Sequence, residues 1–263
     1  MVPTKAITPY VPVTPQEIIE QTHQAYEMGI TMAHLHARDE NEIPTWDPKV
    51  YREIFEGVRK HCPDLIICGS TSGRNFSEFE KRSAVIELKP DMCSLTLSSL
   101  NFMNQASSNP PEIIQALAQK MKDHGVNAEF ECFDLGMINY GLYLIKKQFV
   151  DGPFYWNLFF GNIAGFQASL AQIGLAIKEI PTDGHFIALA GLAGDQLPVN
   201  ASAIATGYGV RVGLEDNIWF DAERTTKATN LGLLTRIHEL IKLHGKEFFA
   251  PKDFRKLGFH NGK

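Results

Sequence analysis

Short apolar runs alternate with capped helical segments along the whole chain, and that alternation restricts the fold more than any single residue does. Seven runs read as strands, over residues 30–38, 65–69, 91–97, 127–134, 154–160, 185–192 and 209–214. Thr14-Pro15-Gln16-Glu17 is a capping box with proline at the first helical position, and Gly29 ends that helix. Asp47-Pro48 opens a second helix, Asn109-Pro110-Pro111-Glu112 caps another, and Gly125 closes it. A long helix over 225–244 and a short basic tail finish the chain. Strands separated by helices imply parallel βαβ units, and strands this apolar suit burial on both faces. At 263 residues the repeat favours one TIM (β/α)8-barrel domain, 1–263, over an open doubly wound sheet. Only seven strands are readable. The expectation is that the first strand is missing from the front, upstream of Met1, which would leave two unpaired edges.

Hydrophobic residues make up 44% and charged residues 21%, the balance of a soluble globular domain. The formal net charge of −5, with no long basic run, argues against a nucleic-acid partner. Cys62, Cys68, Cys93 and Cys132 form no CxxC pair and read as buried free thiols of a reducing compartment. No stretch is long and apolar enough for a membrane span, and the N-terminus is not a leader, so the expected location is the cytoplasm.

Polar residues gather where the runs end, which in a parallel barrel is where function gathers. His34 and His36 are two apart on the first run, so both imidazoles share one face at the point where strand becomes loop. Two imidazoles there make half of a divalent-metal site, most often zinc. Glu215, just after the last run, is the natural third ligand; two histidines and a carboxylate leave an open coordination position. The plainer alternative is two unrelated histidines and a surface glutamate. Arg211, four residues before Glu215, is suited to a planar carboxylate, or else pairs with Asp216 to order the loop. Ser70 to Gly73 form a small-residue turn that can bind an anion through backbone N–H groups. Ser98-Ser99-Leu100-Asn101 follows the third run. Glu129 and Glu131 alternate along one strand and point to one face, which is costly unless they are paired or reach a site. His23, His61, His124, His185, His238, His244 and His260 read as structural or surface residues.

His34-Leu-His-Ala-Arg-Asp39, Val212-Gly-Leu-Glu-Asp-Asn217 and the opening Val11-Pro-Val-Thr-Pro-Gln-Glu17 resemble the β-keto acid cleavage enzymes. The resemblance covers essentially the whole chain. It implies a zinc-dependent TIM barrel that converts a β-keto acid and acetyl-CoA into acetoacetate and a new acyl-CoA, and a tendency to form homotetramers. It implies zinc on His34, His36 and Glu215. It implies substrate contacts from Ser70, Gly73, Ser99 and Asn101, although Ser72 stands where the family often has glycine. Arg211 and Asp216 match a pair assigned to enolisation, and Glu131 matches an acidic residue of the fifth barrel strand. Because arginine stays protonated, Arg211 is read as an electrostatic partner of the enolate. The proton acceptor is left open among Asp216, Glu131 and a water. Two other readings remain: a zinc hydrolase of the amidohydrolase type, which usually needs further histidines at later strand ends, and a non-catalytic barrel that binds ligand.

Overall fold

The computed structural model describes residues 3–261. Met1 and Val2, which open the chain, lie outside the described residues. Nine strands occur among the described residues: β1 (Met32–Leu35), β2 (Ile66–Gly69), β3 (Met92–Thr96), β4 (Leu100–Asn101), β5 (Ala106–Ser107), β6 (Asn127–Cys132), β7 (Phe154–Phe160), β8 (His185–Gly191) and β9 (Gly209–Arg211). Seven form one parallel sheet in the order β1-β2-β3-β6-β7-β8-β9. All seven correspond to the runs read from sequence, with β1 and β9 shorter than expected. The small antiparallel hairpin β4–β5 was not foreseen; it sits in the loop after β3.

The sheet is curled. His34 of β1 touches Glu129 of β6 and approaches Arg211 of β9, three strands that are not neighbours in the sheet. Only curvature toward a barrel brings them together. The fold is therefore of the TIM-barrel type, with helices between successive strands. β1 and β9 form the two edges, and no strand among the described residues lies between them. Helices flank that seam. Asn230, first residue of the helix Asn230–Leu243, accepts from Leu214 N and donates to Gln21 of the helix Pro15–Glu27. A cavity of about 490 Å³ remains in the seam, lined by apolar residues such as Ile18, Ile30, Val210 and Ile237 and, at one end, by His34, His36, Glu129, Arg211 and Glu215.

The core lies between the sheet and its helices. Its largest fully buried side chains include Trp156, Phe130, Phe160 and Ile54. The expected capping box is present: Thr14 caps Glu17 N, and Glu17 accepts from Val13 and Thr14 N–H. All four cysteines are free and buried. No helix among the described residues is long and apolar enough to cross a membrane.

The tail does more than its basic composition suggested. It forms a helix, Pro251–Lys256, and sends Phe254 and Phe259 against Ile66, Cys68 and Met92, with Tyr155 and Phe186 packed alongside. The two rings stack at 4.5 Å. Asp91, 2% exposed, anchors the tail by accepting from Arg255 at 3.0 Å and from Asn261 N at 3.1 Å. The same carboxylate accepts from Arg59 at 2.6 Å and from Ile67 N. These residues lie at the strand starts, so the tail plugs the end of the barrel opposite the polar cluster. Phe259→Ala should lower unfolding free energy by about 3–5 kcal/mol, as expected for a fully buried ring. Chemical denaturation measures this. A loss within about 0.5 kcal/mol, the range of a surface change, would show that the plug is not part of the cooperative core.

Candidate metal and substrate site

β1 ends at Leu35, so His34 is the strand's third residue and His36 lies just past its end. The two rings still face each other, with centroids 4.9 Å apart. The bend after β9 brings Glu215 to the same place. Donor atoms of His34, His36 and Glu215 all lie within 4.8 Å of one another. His36 Nε2 is buried at ion-pair distance, 3.0 Å, from Glu215 Oε1, but makes no well-aligned hydrogen bond among the described residues. A buried imidazole nitrogen left without a hydrogen bond is a costly arrangement by itself. It fits a metal ligand.

The tautomer of His34 follows from its neighbour. Glu129 Oε2 lies 2.7 Å from His34 Nδ1. An ionised carboxylate only accepts, so Nδ1 carries the proton, and in the neutral ring Nε2 keeps its lone pair for a ligand. Glu129 is 2% exposed and also accepts from Asn157 Nδ2 at 2.8 Å and from the Cys68 thiol. Burial pushes its carboxyl up, but His34 and Arg211 overcome this and hold it at about 2. His34, Cys68 and Glu129 could themselves be taken for a metal cluster. Burial and the Glu129 charge raise the Cys68 thiol well above its ordinary value, so it stays protonated and is a poor ligand.

Arg211 ties the cluster together. It donates to Glu215 Oε2 at 2.8 Å and to Asp216 Oδ2 at 3.2 Å, with Glu131 at 3.6 Å and Glu129 at 3.8 Å. Its guanidinium lies over the Phe159 ring at 4.8 Å. Four carboxylates thus surround one guanidinium. Glu215 is held well below the usual carboxylate range, with burial opposed by His36 and Arg211. Glu131 is raised by burial and by Glu129, and Asp216 by burial and by Glu215. Such an excess of buried negative charge is unfavourable unless a further cation neutralises it. The donor set, the charge and the orphaned His36 nitrogen all suit a divalent ion such as zinc.

The other sequence candidates lie above, Ser70, Gly73 and Ser99 in loops and Asn101 at the end of β4. Ser70, 9% exposed, accepts from Ser72 N. A Cβ on Gly73 would strike the carbonyl of Ser108 and the Arg82 guanidinium, so only glycine fits there without movement. Ser99 Oγ accepts from Asn109 N at 2.7 Å, and the Asn101 carbonyl accepts from Asn162, so both close loops. These four residues are not among those lining the seam cavity. Glu131 accepts from Thr96 at 2.6 Å. Sequence reading gave Glu129 no separate role and passed over Asn157. Asn157 is 1% exposed, and its Oδ1 lacks a partner among the described residues. The available signal was one amide inside the aromatic run Phe154–Phe160. His185, read as structural, accepts from Trp156 Nε1 at 2.9 Å.

Comparison with known proteins gives a consistent picture. The family described as beta-keto acid cleavage enzyme matches residues 1–258. A 3-oxoadipate:acetyl-CoA acetyltransferase of Cupriavidus necator is 32% identical over 258 residues, 97% of this chain and 90% of that protein. A 3-keto-5-aminohexanoate cleavage enzyme of Acetoanaerobium sticklandii is 32% identical over 255 residues, covering 97% and 93%. Among solved structures, the ternary complex of ObcA with a C4-CoA adduct and oxalate shares the fold, with a TM-score of 0.81 at 20% identity over 96% of this chain and 68% of that one.

If zinc binds here and Glu129 fixes the His34 tautomer, Glu129→Gln should weaken zinc affinity by about 10–100-fold, the usual effect of removing such a partner. His36→Ala should lose stoichiometric zinc outright. Chelator competition and elemental analysis of the purified protein read both. Unchanged affinity in Glu129→Gln would show that the imidazole is oriented by other contacts.

Proposed function

The chain belongs to the β-keto acid cleavage enzyme family, and from that premise we propose that it condenses a β-keto acid with acetyl-CoA and releases acetoacetate and a new acyl-CoA. The observation that supports this most strongly is the convergence of His34, His36 and Glu215 beside Arg211. His34, His36 and Glu215 would hold zinc, which when bound supplies Lewis acidity toward the oxygens of a β-keto acid.

The chain's own residues carry the remaining work. Arg211 offers a fixed positive charge next to where the substrate oxygens gather, and its four carboxylate neighbours hold the guanidinium in place. That charge favours the enolate formed when the carbon between ketone and carboxylate loses its proton. Glu131 and Asp216, both raised above the ordinary carboxylate value, are the acceptors within reach of Arg211 for that proton. The carbon nucleophile then attacks the thioester carbonyl, a C–C bond forms and CoA thiolate leaves. The thiolate adds to the original ketone, the bond between that carbon and the nucleophilic carbon breaks, and acetoacetate departs after protonation. Ser70 and Gly73, in the turn after β2, and Ser99 and Asn101 would contact the keto acid. The protein is expected to work in the cytoplasm as a homo-oligomer. An amidohydrolase would call for more metal-binding histidines, and among the described residues no further histidine joins the cluster.

Zinc analysis combined with an assay of acetoacetate release from β-keto acids and acetyl-CoA tests the reading. Stoichiometric zinc and acetyl-CoA-dependent release are expected; release that survives complete chelation would contradict it. Arg211→Lys keeps the charge but loses the planar fork, and should lower kcat by about 10²-fold. Wild-type turnover in a folded Arg211→Lys variant would leave Arg211 only a structural role.

A further inference from the structure

Two arginines stand at the two ends of a row of aromatic rings whose middle members, Phe133 and Phe159, are buried in the core. Arg211 lies over Phe159, Phe159 stacks on Phe133 at 4.4 Å, and Phe133 meets Phe102 edge-on at 5.5 Å. The far end of the row is capped by Arg74, whose guanidinium carbon lies 4.0 Å from the centre of the Phe102 ring. Arg74 belongs to the loop after β2, next to the constrained Gly73, and its backbone N–H donates to Ser72 Oγ.

Arg74 differs from the other arginines of this region. Arg82 donates to Thr71 O, Ser108 O and Asn109 Oδ1, and Arg211 is surrounded by carboxylates. Arg74 Nε is buried and has no hydrogen-bond partner among the described residues. Burial disfavours its charge; Glu215, Glu131 and Asp216 favour it and Arg211 opposes it, which places it within electrostatic range of the site. A guanidinium held beside an aromatic ring, with a buried nitrogen left without a partner, is preorganised to receive a planar anion.

We propose that Arg74 binds a second carboxylate, at the far end of the β-keto acid, and that the enzyme therefore selects β-keto dicarboxylic acids. This deepens the function proposed above and rests on it. With one end of the keto acid at Arg211, a second carboxylate would meet the partnerless nitrogen of Arg74, whose charge Glu215, Glu131 and Asp216 favour. A CoA phosphate has a similar chemistry but fits less well. It carries up to two charges and is usually met by several cations or backbone N–H groups. Arg74 feels the charge of the site's carboxylates, and Lys81, in the short helix Phe79–Ser83 that follows, is engaged by Glu78. The relatives do not decide the matter, since the 3-oxoadipate and 3-keto-5-aminohexanoate enzymes are equally similar to this chain.

The test compares 3-oxoadipate with 3-oxohexanoate, which has the same length but no second carboxylate. In the wild-type protein kcat/KM should favour 3-oxoadipate by about 10²-fold, the effect of one charge-assisted bidentate contact. In Arg74→Gln that ratio should collapse toward one through a raised KM for 3-oxoadipate, and Arg74→Lys should fall between. Calorimetric binding of 3-oxoadipate, which needs no turnover, should weaken in parallel. No preference in the wild type, or an Arg74→Gln variant that weakens both keto acids equally, would overturn the proposal. So would a raised KM for acetyl-CoA with either keto acid, which would assign Arg74 to a phosphate. If no keto acid yields acetoacetate, the cleavage reading fails, and the calorimetry still decides Arg74: equal 3-oxoadipate affinity in wild type and Arg74→Gln would sink it.

Discussion

The Arg211 guanidinium is the interaction on which the rest of the site depends. It is largely buried among Glu129, Glu131, Glu215 and Asp216. These side chains come from β6 and from the bend after β9, so one cation joins the middle of the sheet to its last edge. Removing it would leave carboxylates buried without a counter-charge, which costs far more than an exposed ion pair contributes. Because four carboxylates exceed one guanidinium, the cluster also calls for a further cation, and the two histidines are placed to receive it. Stability and function thus draw on the same electrostatic arrangement.

The fold supplies the geometry. β1 carries His34, β6 carries Glu129 and β9 carries Arg211, three strands at the start, middle and end of the sheet. A flat sheet would hold them far apart, at roughly 4.8 Å per strand step. The curl brings them into contact, with polar groups at the strand ends and the Phe254–Phe259 plug at the strand starts. The seam between β1 and β9 leaves a cavity that reaches the site, closed on its outer side by Gln21, Asn230 and neighbouring apolar side chains.

Much of this was legible in the sequence, because its signals are periodic. All seven sheet strands were readable as apolar runs, and His34 and His36 were readable as one face because strand side chains alternate. Glu215 and Asp216 followed from their position after the last run. Alternation also put Glu129 and Glu131 on one face, but it could not say that Glu129 is the one that meets His34. That depends on which strands the curl brings together, a non-local fact. Arg74 was hidden for a related reason: it sits in a polar, charged stretch whose default is solvent, and only the placement of Phe102 from another loop shows otherwise. The tail was missed because two phenylalanines five residues apart carry no helical or strand period. What places them is the apolar end of the barrel.

The central claim is an exchange of carbon skeletons between a β-keto acid and acetyl-CoA at this cluster. Isotope tracing tests it most directly. With acetyl-CoA labelled by ¹³C in both acetyl carbons and an unlabelled β-keto acid, mass spectrometry and NMR should find the label in the methyl and ketone carbons of acetoacetate, and none in the new acyl-CoA. Label recovered as free acetate would mean hydrolysis of the thioester instead of condensation, and unlabelled acetoacetate would mean that the acetyl group does not enter it; either result would contradict the account.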